Sequence, residues 1–284
     1  MSRQSSIVNR KSKCILRYFL QFAESMLMSV FMNLDLKDKI ALVTGASHGL
    51  GKTTSLLLAS EGAKVVVNYR QSARRADEVV RQIKDKYDTE AIPVYADVGK
   101  ESDVVSMFEK IDEQFGRIDI LINNAAYCPT CQVADMTEQM WNYTLQVNLT
   151  GTFLCSREFV KRLLDRQQPG RIVNISSQAA FRGSTTGHAP YDASKGGIVS
   201  FTVSLAREVA EKNIMVNCVA PGLMHTEIME KALQANMQKY INRVPIRRIG
   251  ETEEIARMVV FLAGRGSDYM TGATVDVSGG LAMR

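Results

Sequence analysis

The sequence is poor in the residues that build metal centres and disulfide frameworks. It has three histidines and five cysteines among 284 residues. The odd cysteine count, with Cys155 and Cys218 in apolar helix and strand patterns, favours reduced thiols in a cytoplasmic protein. The one CxxC, from Cys128 to Cys131, has no second CxxC or histidine pair to complete a zinc site, so we predict no metal. Two ordinary loop cysteines are the simpler interpretation of this motif, and a redox disulfide is the alternative.

Excess charge is also scarce over most of the chain. The net charge is +5, and the first 31 residues contain five basic side chains against one acidic side chain. The remainder is therefore nearly neutral, which argues against a nucleic-acid-binding face. Hydrophobic residues make up 45% of the chain. Together with its length, this fraction is typical of a globular protein with one large α/β domain or two small ones.

No uninterrupted apolar run is long enough to suggest a membrane span. Residues 14 to 32 are rich in Leu, Phe and Met, but Arg17, Gln21 and Glu24 recur at helical spacing and make the segment amphipathic. We predict that residues 1 to 37 form a dispensable extension, disordered or loosely docked, and that residues 38 to 284 form the functional domain. A transit peptide, a natural start at Met32 and membrane attachment through this segment are the alternatives.

From residue 38 onward, short apolar strands alternate with amphipathic helices. This alternation predicts a single doubly wound α/β domain, in which a mostly parallel sheet of about seven strands is covered by helices on both faces. Between the fourth and fifth strands we expect two separate helices, near residues 138 to 148 and 150 to 165. The strands are expected at residues 40 to 44, 64 to 68, 91 to 95, 118 to 123, 171 to 176, 214 to 220 and 274 to 277.

A glycine-rich turn joins the first strand to the first helix, with the spacing Gly-x3-Gly-x-Gly. Glycines here permit a tight turn and close approach of the backbone to a pyrophosphate. The N-terminus of the following helix offers free N–H groups and the positive end of the helix dipole. The sequence therefore predicts a nucleotide phosphate site, whose residues are Gly45, Ser47, His48, Gly49, Leu50 and Gly51.

The end of the second strand carries a signal for the cofactor. In this fold the position faces the adenosine ribose, where a carboxylate would hold the 2′-hydroxyl and repel a 2′-phosphate. Here the strand ends Asn68-Tyr69-Arg70, with no carboxylate. Because a guanidinium group is suited to phosphate, we predict NADP in preference to NAD, and NAD remains possible.

Tyr191 and Lys195 lie four residues apart at the start of a predicted helix, so their side chains share one face. A free tyrosine has a pKa of about 10 and is a poor acid–base group near neutral pH. A neighbouring ammonium group stabilises the phenolate and lowers that pKa. We therefore predict that Tyr191 exchanges a proton with an alcohol oxygen, assisted by Lys195.

These features occur together with further motifs in a fixed order. From about Leu36 to its C-terminus the chain resembles a short-chain dehydrogenase/reductase, in particular the 3-oxoacyl-acyl-carrier-protein reductase-like and glucose-dehydrogenase-like members. The resemblance implies a Rossmann fold, a nicotinamide cofactor and a homotetramer. It rests on residues 44 to 51, Asp97, residues 123 to 125, Asn148, residues 174 to 177, residues 191 to 195, and Pro221-Gly222.

The resemblance also implies roles for individual residues. Cofactor contacts are implied at the adenine end for Asp97 and Val98, along the trough for Asn124, Ala125 and Ala126, and at the nicotinamide end for Lys195, Pro221, Gly222 and Thr226. In catalysis, Ser177 would hydrogen-bond the substrate oxygen, Tyr191 would exchange the proton, and Asn148 would support a water that links Lys195 to solvent. The chain departs from the family pattern in two places. Ala126 replaces a usual glycine, and one extra residue separates Ser177 from Tyr191, which we place in the substrate wall at residues 181 to 189.

The resulting hypothesis is an NADPH-dependent ketone reductase for a small-molecule or acyl-thioester carbonyl, such as a 3-oxoacyl group on acyl-carrier protein. A sugar or polyol dehydrogenase of the same family is one alternative. A non-catalytic NADP-sensing regulator is the other, although a regulator has no need of the complete set Asn148, Ser177, Tyr191 and Lys195. We expect a cytoplasmic homotetramer without a nucleic-acid partner.

Overall fold

Seven short strands form one sheet in the computed structural model, which describes residues 33–184 and 186–283. They are β1 (Ile40–Val43), β2 (Lys64–Tyr69), β3 (Ala91–Tyr95), β4 (Ile120–Asn123), β5 (Gly170–Ile175), β6 (Ile214–Pro221) and β7 (Thr274–Val277). Their order is β3-β2-β1-β4-β5-β6-β7, and all six pairings are parallel. Every residue of β1 and β4 is buried, as a parallel sheet covered on both faces requires.

Helices cover both faces of the sheet. They are α1 (Gly49–Ser60), α2 (Ala73–Tyr87), α3 (Glu101–Phe115), α4 (Glu138–Leu145), α5 (Gly151–Asp165), α6 (Ala179–Arg182), α7 (Ala189–Val209), α8 (Glu227–Ile241) and α9 (Thr252–Ala263). Helix α1 packs against α2 and α9 on one face, while α3 packs against α5 on the other. Phe108 of α3 and Phe159 of α5 are completely buried in the core of that second face. The predicted doubly wound Rossmann-type fold is confirmed.

The sheet has its topological switch point between β1 and β4. The chain proceeds outward from β1 through β2 to β3, and then returns to β4 on the other side of β1. The two crossovers leave a crevice beyond the carboxyl ends of these strands, which is where doubly wound folds bind ligands. Thr44, which follows β1, and Asn124, which follows β4, lie on its two sides.

Helices α4 and α5 are joined without a break by a single π-helical turn, Gln146–Thr150. The sequence predicts two separate helices here, but the backbone stays helical on both sides of the turn, with φ of −63° at Leu145 and −61° at Gly151. A π turn contains one more residue than an α turn and is frequent at functional sites. Asn148 lies in this turn and is completely buried.

Four strands, β1, β2, β5 and β6, differ from the prediction by one residue at one or both ends, and β4 differs by two. Strand β4 begins at Ile120 instead of residue 118, because the side chain of Asp119 accepts a hydrogen bond from Ile40 N at 2.8 Å in place of a ladder partner. The short helix α6 has too few residues to show a hydrophobic period. Over the described residues, no helix is both long and apolar enough to cross a membrane. The predicted N-terminal extension lies almost entirely outside the described residues.

Candidate active site

The glycine-rich turn is held in place by side chains from both sides of the switch point. The hydroxyl of Thr44 accepts hydrogen bonds from Asn124 N at 2.9 Å and from Ala125 N at 3.0 Å. The amide of Asn124 donates to Thr44 O and Gly45 O at 2.9 and 3.2 Å. Gly45 has a φ of +61°, and a Cβ there would lie 2.9 Å from Ala125 Cα. A residue other than glycine would therefore push the turn away from β4.

The beginning of helix α1 has the features of a phosphate cradle. His48 is its N-cap residue, and no side chain caps the helix, so its first backbone N–H groups are available to an anion. Gly49 has a φ of +54°, and a Cβ there would find only Thr226 Cγ2, at 3.9 Å. Ser47 and His48 contact each other, with 3.2 Å between Oγ and Nδ1, while Leu50 is buried. These residues fit the pyrophosphate of a dinucleotide.

Asn68 supports this cradle from the end of β2. Its side-chain oxygen accepts a hydrogen bond from Gly45 N at 3.1 Å. Its side-chain nitrogen donates to Val94 O and Ala96 O at 3.3 and 3.2 Å, and the residue is 2% exposed. The sequence predicts a cofactor contact for Asn68, and in the structure its side-chain amide hydrogen-bonds the glycine-rich turn and the end of β3.

The predicted adenosine end forms a cluster around Arg70. The guanidinium Nη1 donates a hydrogen bond to the hydroxyl of Tyr143 and lies 3.7 Å from Asp97 Oδ2. The other carboxylate oxygen of Asp97 accepts from Gly99 N at 3.1 Å and fixes the turn after β3. Tyr69 packs edge-on against Tyr95, with 6.0 Å between the ring centroids. Val98, predicted to lie here with Asp97, is buried.

The predicted nicotinamide end lies at the carboxyl ends of β6 and β7. Pro221 O accepts a hydrogen bond from Gln178 N at 2.9 Å, and Gly222 N donates to Val277 O at 3.1 Å. A Cβ on Gly222 would lie 2.6 Å from Ser278 Cα, so this turn packs tightly. Thr226 begins helix α8 and accepts from Met229 N at 3.3 Å. Its methyl group lies close to the first turn of α1, where a Cβ on Gly49 would be 3.9 Å from Thr226 Cγ2.

Lys195 is buried beneath Tyr191. Its Nζ donates a hydrogen bond to Ile175 O at 2.7 Å and lies 5.4 Å from the centroid of the Tyr191 ring. Lys195 is 2% exposed, and burial lowers its pKa from 10.5 to about 8. The sequence prediction placed these two side chains on one face of one helix, and the structure brings them together.

Burial raises the pKa of Tyr191 above its ordinary value, because the phenolate would lack solvent. The nearby Cys128 and Asp192 act in the same direction, and a hydrogen bond with Ser177 opposes them. The sequence predicts that Lys195 lowers the pKa of Tyr191, and this prediction is wrong for the site that these residues form. The reason is that desolvation outweighs the other influences on the phenol.

Ser177 is the serine that contacts Tyr191 through its side chain. Its hydroxyl also accepts a hydrogen bond from Ala179 N at 3.1 Å, which begins the short helix α6. The neighbouring Ser176 is buried and donates instead to Lys195 O at 2.8 Å. The two hydroxyls of Ser177 and Tyr191 can therefore contact one oxygen atom of a substrate.

Asn148 connects the π turn to the backbone of Tyr127 and to helix α7. Its Nδ2 donates to Tyr127 O at 2.9 Å and to Ser194 Oγ at 3.0 Å, and its Oδ1 accepts from Tyr127 N at 2.7 Å. Ser194 Oγ in turn donates to Tyr191 O at 2.6 Å. Through these hydrogen bonds Asn148 positions the backbone of Tyr127 directly and that of Tyr191 through Ser194.

Two loops tied to each other form the rim next to Tyr191. Cys131 N donates to Gly187 O at 2.8 Å, and His188 Nδ1 lies 2.7 Å from Pro129 O. Cys128 Sγ is 3.7 Å from the same His188 nitrogen, and desolvation raises the pKa of this thiol to about 11. Residues 187 and 188, within the segment where the sequence analysis places the extra residue, thus pack against the CxxC segment.

A buried polar network lies behind the crevice. Asn123 Nδ2 donates to Ser156 Oγ at 3.0 Å and to Asn174 Oδ1 at 2.9 Å, and Asn174 Nδ2 donates to Thr202 Oγ1 at 2.9 Å. The network connects β4 and β5 to α5 and α7. Asn123 and Asn174, near the ends of β4 and β5, therefore support the site from behind.

Sequence reasoning assigned no supporting role to Thr44, Tyr127, Tyr143 and Ser194, although Thr44 and Ser194 lie within the motifs that carry the resemblance. Each acts through a backbone group or a generic hydroxyl, and each lies at least 21 positions from one of its partners. The only local signal is Ser194, at helical spacing from Tyr191. Contacts of this kind have no spacing pattern that a single sequence can reveal.

The fold and the site define an NAD(P)-dependent oxidoreductase that acts on secondary alcohols or ketones. The chain belongs to the short-chain dehydrogenase/reductase family, since a family profile described as enoyl-(acyl carrier protein) reductase matches residues 45–282. It is 41% identical over 249 residues to a 3-oxoacyl-[acyl-carrier-protein] reductase of Synechocystis sp., covering 87% of this chain and 98% of that protein. A reductase of the same name from Staphylococcus epidermidis is 39% identical over 247 residues, covering 87% and 100%.

A solved structure has the same fold. A candidate gluconate dehydrogenase from Agrobacterium tumefaciens aligns with a TM-score of 0.84 and 32% sequence identity, covering 89% of this chain and 100% of that chain. The family therefore includes similar proteins named for two substrate classes, acyl-thioesters and sugar acids.

Proposed function

We propose that the protein is an NADPH-dependent ketone reductase whose substrate is a 3-oxoacyl thioester, as on acyl-carrier protein. The observation that carries this proposal is the pair of hydroxyls, Ser177 and Tyr191, hydrogen-bonded to each other above the buried Lys195. Two hydroxyls in this arrangement can polarise a carbonyl oxygen and supply a proton to it. The names of the similar reductases support the acyl-thioester class.

The protonation state of Tyr191 suits the reductive direction. Because burial raises its pKa, the phenol keeps its proton at neutral pH and is ready to donate it. A bound nicotinamide would supply the hydride to the carbonyl carbon, while Tyr191 transfers its proton to the oxygen. An alkoxide is a much stronger base than a phenolate, so this transfer is downhill even from a tyrosine with a raised pKa. Ser177 holds the oxygen during the step.

Lys195 and Arg70 are proposed to contact the two riboses of the cofactor. The Lys195 ammonium lies beneath Tyr191 and is proposed to bind the nicotinamide ribose. Arg70, at the end of β2, is proposed to bind the 2′-phosphate of NADP, which a carboxylate at that position would repel. The guanidinium is two-thirds buried among Tyr143 and Asp97, so it does not behave as a solvated loop charge.

The screen that tests the proposed function measures nicotinamide oxidation by purified protein. We expect kcat/KM to be higher with NADPH than with NADH. We also expect it to be higher with an acetoacetyl thioester than with a ketose, a steroid ketone or a simple keto-ester. A protein that instead oxidises gluconate or a polyol faster than it reduces the thioester would favour the sugar dehydrogenase alternative, which the similarity to a candidate gluconate dehydrogenase supports. Cofactor binding without turnover of any substrate would favour the NADP-sensing regulator.

The affinity for NADPH should fall as the pH rises through about 8, the pKa of Lys195. Below this pH the ammonium is charged and can bind the ribose hydroxyls, and above it the amine is neutral. Fluorescence titration with NADPH at a series of pH values checks this expectation. The matched variant is Lys195→Arg, because a guanidinium stays charged throughout this range. An identical loss of affinity in both proteins would show that another group is responsible.

Assembly and location are also proposed. We propose a cytoplasmic homotetramer, as the family resemblance implies. Large apolar side chains are exposed on α5 and α7, among them Phe153 at 43% and Val203 at 38%. Burial of these groups between subunits would remove them from water. The absence of a spanning helix in the described residues is compatible with this location.

A further inference from the structure

Tyr143, on helix α4, holds the guanidinium group of Arg70 at the end of β2. The two residues belong to different βαβ units. The Tyr143 hydroxyl accepts a hydrogen bond from Arg70 Nη1, and the Arg70 guanidinium carbon lies 5.8 Å from the centroid of the Tyr143 ring. Arg70 and Tyr143 are 73 residues apart in sequence. The phenol therefore restricts a long side chain that would otherwise have many rotamers.

The position of Tyr143 is itself fixed by two neighbouring contacts. Gln146, one turn further along, donates from Nε2 to Gly99 O at 2.6 Å and ties this helical segment to the turn that contains Asp97. On its other side the Tyr143 ring packs edge-on against Tyr127, with 5.1 Å between the centroids. Tyr143 is 37% exposed, and its contact with Tyr127 and the tie at Gln146 restrict where its ring can lie.

The charges around Arg70 explain why a neutral partner matters. Asp97 lies 3.7 Å from Nη1, and a carboxylate competes with any phosphate for a guanidinium group. The Tyr143 hydroxyl holds the same nitrogen without adding a formal charge. Among the described residues, Nε and Nη2 of Arg70 have no hydrogen-bond partner, so these donors can still bind a phosphate while Nη1 is held.

We propose that Tyr143 is a positioning residue for cofactor selection: it holds Arg70 so that the free edge of the guanidinium binds the 2′-phosphate of NADP. This inference rests on the proposed preference for NADP. Tyr143 would act only through Arg70, without contact to the reacting atoms, and would favour NADPH by reducing the entropy that Arg70 loses on binding. NADH lacks the 2′-phosphate, so its use should not depend on Tyr143.

A double-mutant cycle with both cofactors tests the proposal. Steady-state kinetics are measured with NADPH and with NADH for the wild type, Tyr143→Ala, Arg70→Met and the double variant. Ordering one long side chain costs enough to correspond to a change of about three- to tenfold. We expect Tyr143→Ala to raise the KM for NADPH by this factor without changing kcat or the KM for NADH. In the Arg70→Met background the same substitution should have no further effect on the NADPH to NADH ratio.

Two more variants and two inhibitors separate this role from a structural one. Tyr143→Phe keeps the ring contact with Tyr127 and removes only the hydroxyl, so it should show a smaller effect in the same direction. Tyr87→Phe is the matched control, because Tyr87 also lies beside a cation, with Lys86 Nζ 5.1 Å from its ring centroid, but on the remote end of α2. Inhibition by adenosine 2′,5′-bisphosphate should weaken in Tyr143→Ala, and inhibition by 5′-AMP should not.

The outcomes distinguish this inference from the proposed function. A wild type that prefers NADH would overturn both the proposed cofactor and the role of Tyr143. A wild type that prefers NADPH, with an unchanged preference in Tyr143→Ala, would overturn the role of Tyr143 alone. An equal loss with NADPH and NADH would also overturn it, because the effect would then not involve the 2′-phosphate.

Discussion

Replacement of Tyr191 by phenylalanine should reduce kcat by about two to four orders of magnitude, which is the usual contribution of a general acid. The substitution removes the proton donor and the hydroxyl partner of Ser177. It retains the ring above Lys195, and the cation remains bonded to Ile175 O at 2.7 Å. We therefore expect the dissociation constant for NADPH to change by less than about threefold, because the binding free energy that is lost is smaller than that of one hydrogen bond.

Stopped-flow reduction of the substrate and fluorescence titration with NADPH measure the two quantities separately. Tyr87→Phe, the remote tyrosine on α2, controls for the loss of a hydroxyl as such and should retain full activity. Turnover of Tyr191→Phe within tenfold of the wild type would exclude Tyr191 as the acid. A parallel loss of NADPH binding would indicate that the variant has lost the site and not only its proton.

Replacement of Gly51 by alanine should abolish tight dinucleotide binding. A Cβ at this position would lie 2.5 Å from both Gly45 O and Asn124 Nδ2. Neither atom can move freely, because Asn124 holds the turn through hydrogen bonds to Thr44 O and Gly45 O. Forcing a methyl group into such a site costs about 1–3 kcal/mol, so the melting temperature should fall and the dissociation constant for NADPH should rise about tenfold or more.

Gly196→Ala is the matched control for this prediction. It adds the same methyl group near the start of helix α7, where the nearest atom would be Ala180 O at an ordinary 3.8 Å. Calorimetric melting and NADPH titration of the two variants provide the comparison. Normal binding by Gly51→Ala would mean that the close contact between helix and turn is not required for the cradle.

The fold was predictable because local pattern and global structure agree along most of this chain. Buried parallel strands appear in sequence as short β-branched runs, and the run at Lys64–Tyr69 has few other interpretations. The boundary at Ile120 was missed because Asp119 provides a ladder hydrogen bond from its side chain. Hydrophobic spacing in a sequence cannot show that a side-chain oxygen takes the place of a backbone acceptor.

The candidate site was predictable to the extent that its residues are close in sequence. Tyr191 and Lys195 meet because both lie on one helix, and the glycines of the turn are grouped by their shared backbone requirements. The acidity of Tyr191 was not predictable, because its direction depends on how many distant elements exclude water from the phenol. The partners of Arg70 and Asn68 were not predictable either, since they come from other strands and from α4.

The π turn at Gln146–Thr150 has a consequence for which side chains of one continuous helical rod face the same way. Each residue advances an α-helix by about 100°, so one inserted residue rotates everything before the turn by roughly that angle relative to everything after it. Tyr143 and Phe159 lie 16 positions apart, which in an uninterrupted α-helix would set their side chains about 160° apart around the axis. With one residue taken up by the π turn, the angle falls to about 60°. The extra residue therefore turns the side chain that contacts Arg70 and the side chain buried in the core toward the same side of the rod.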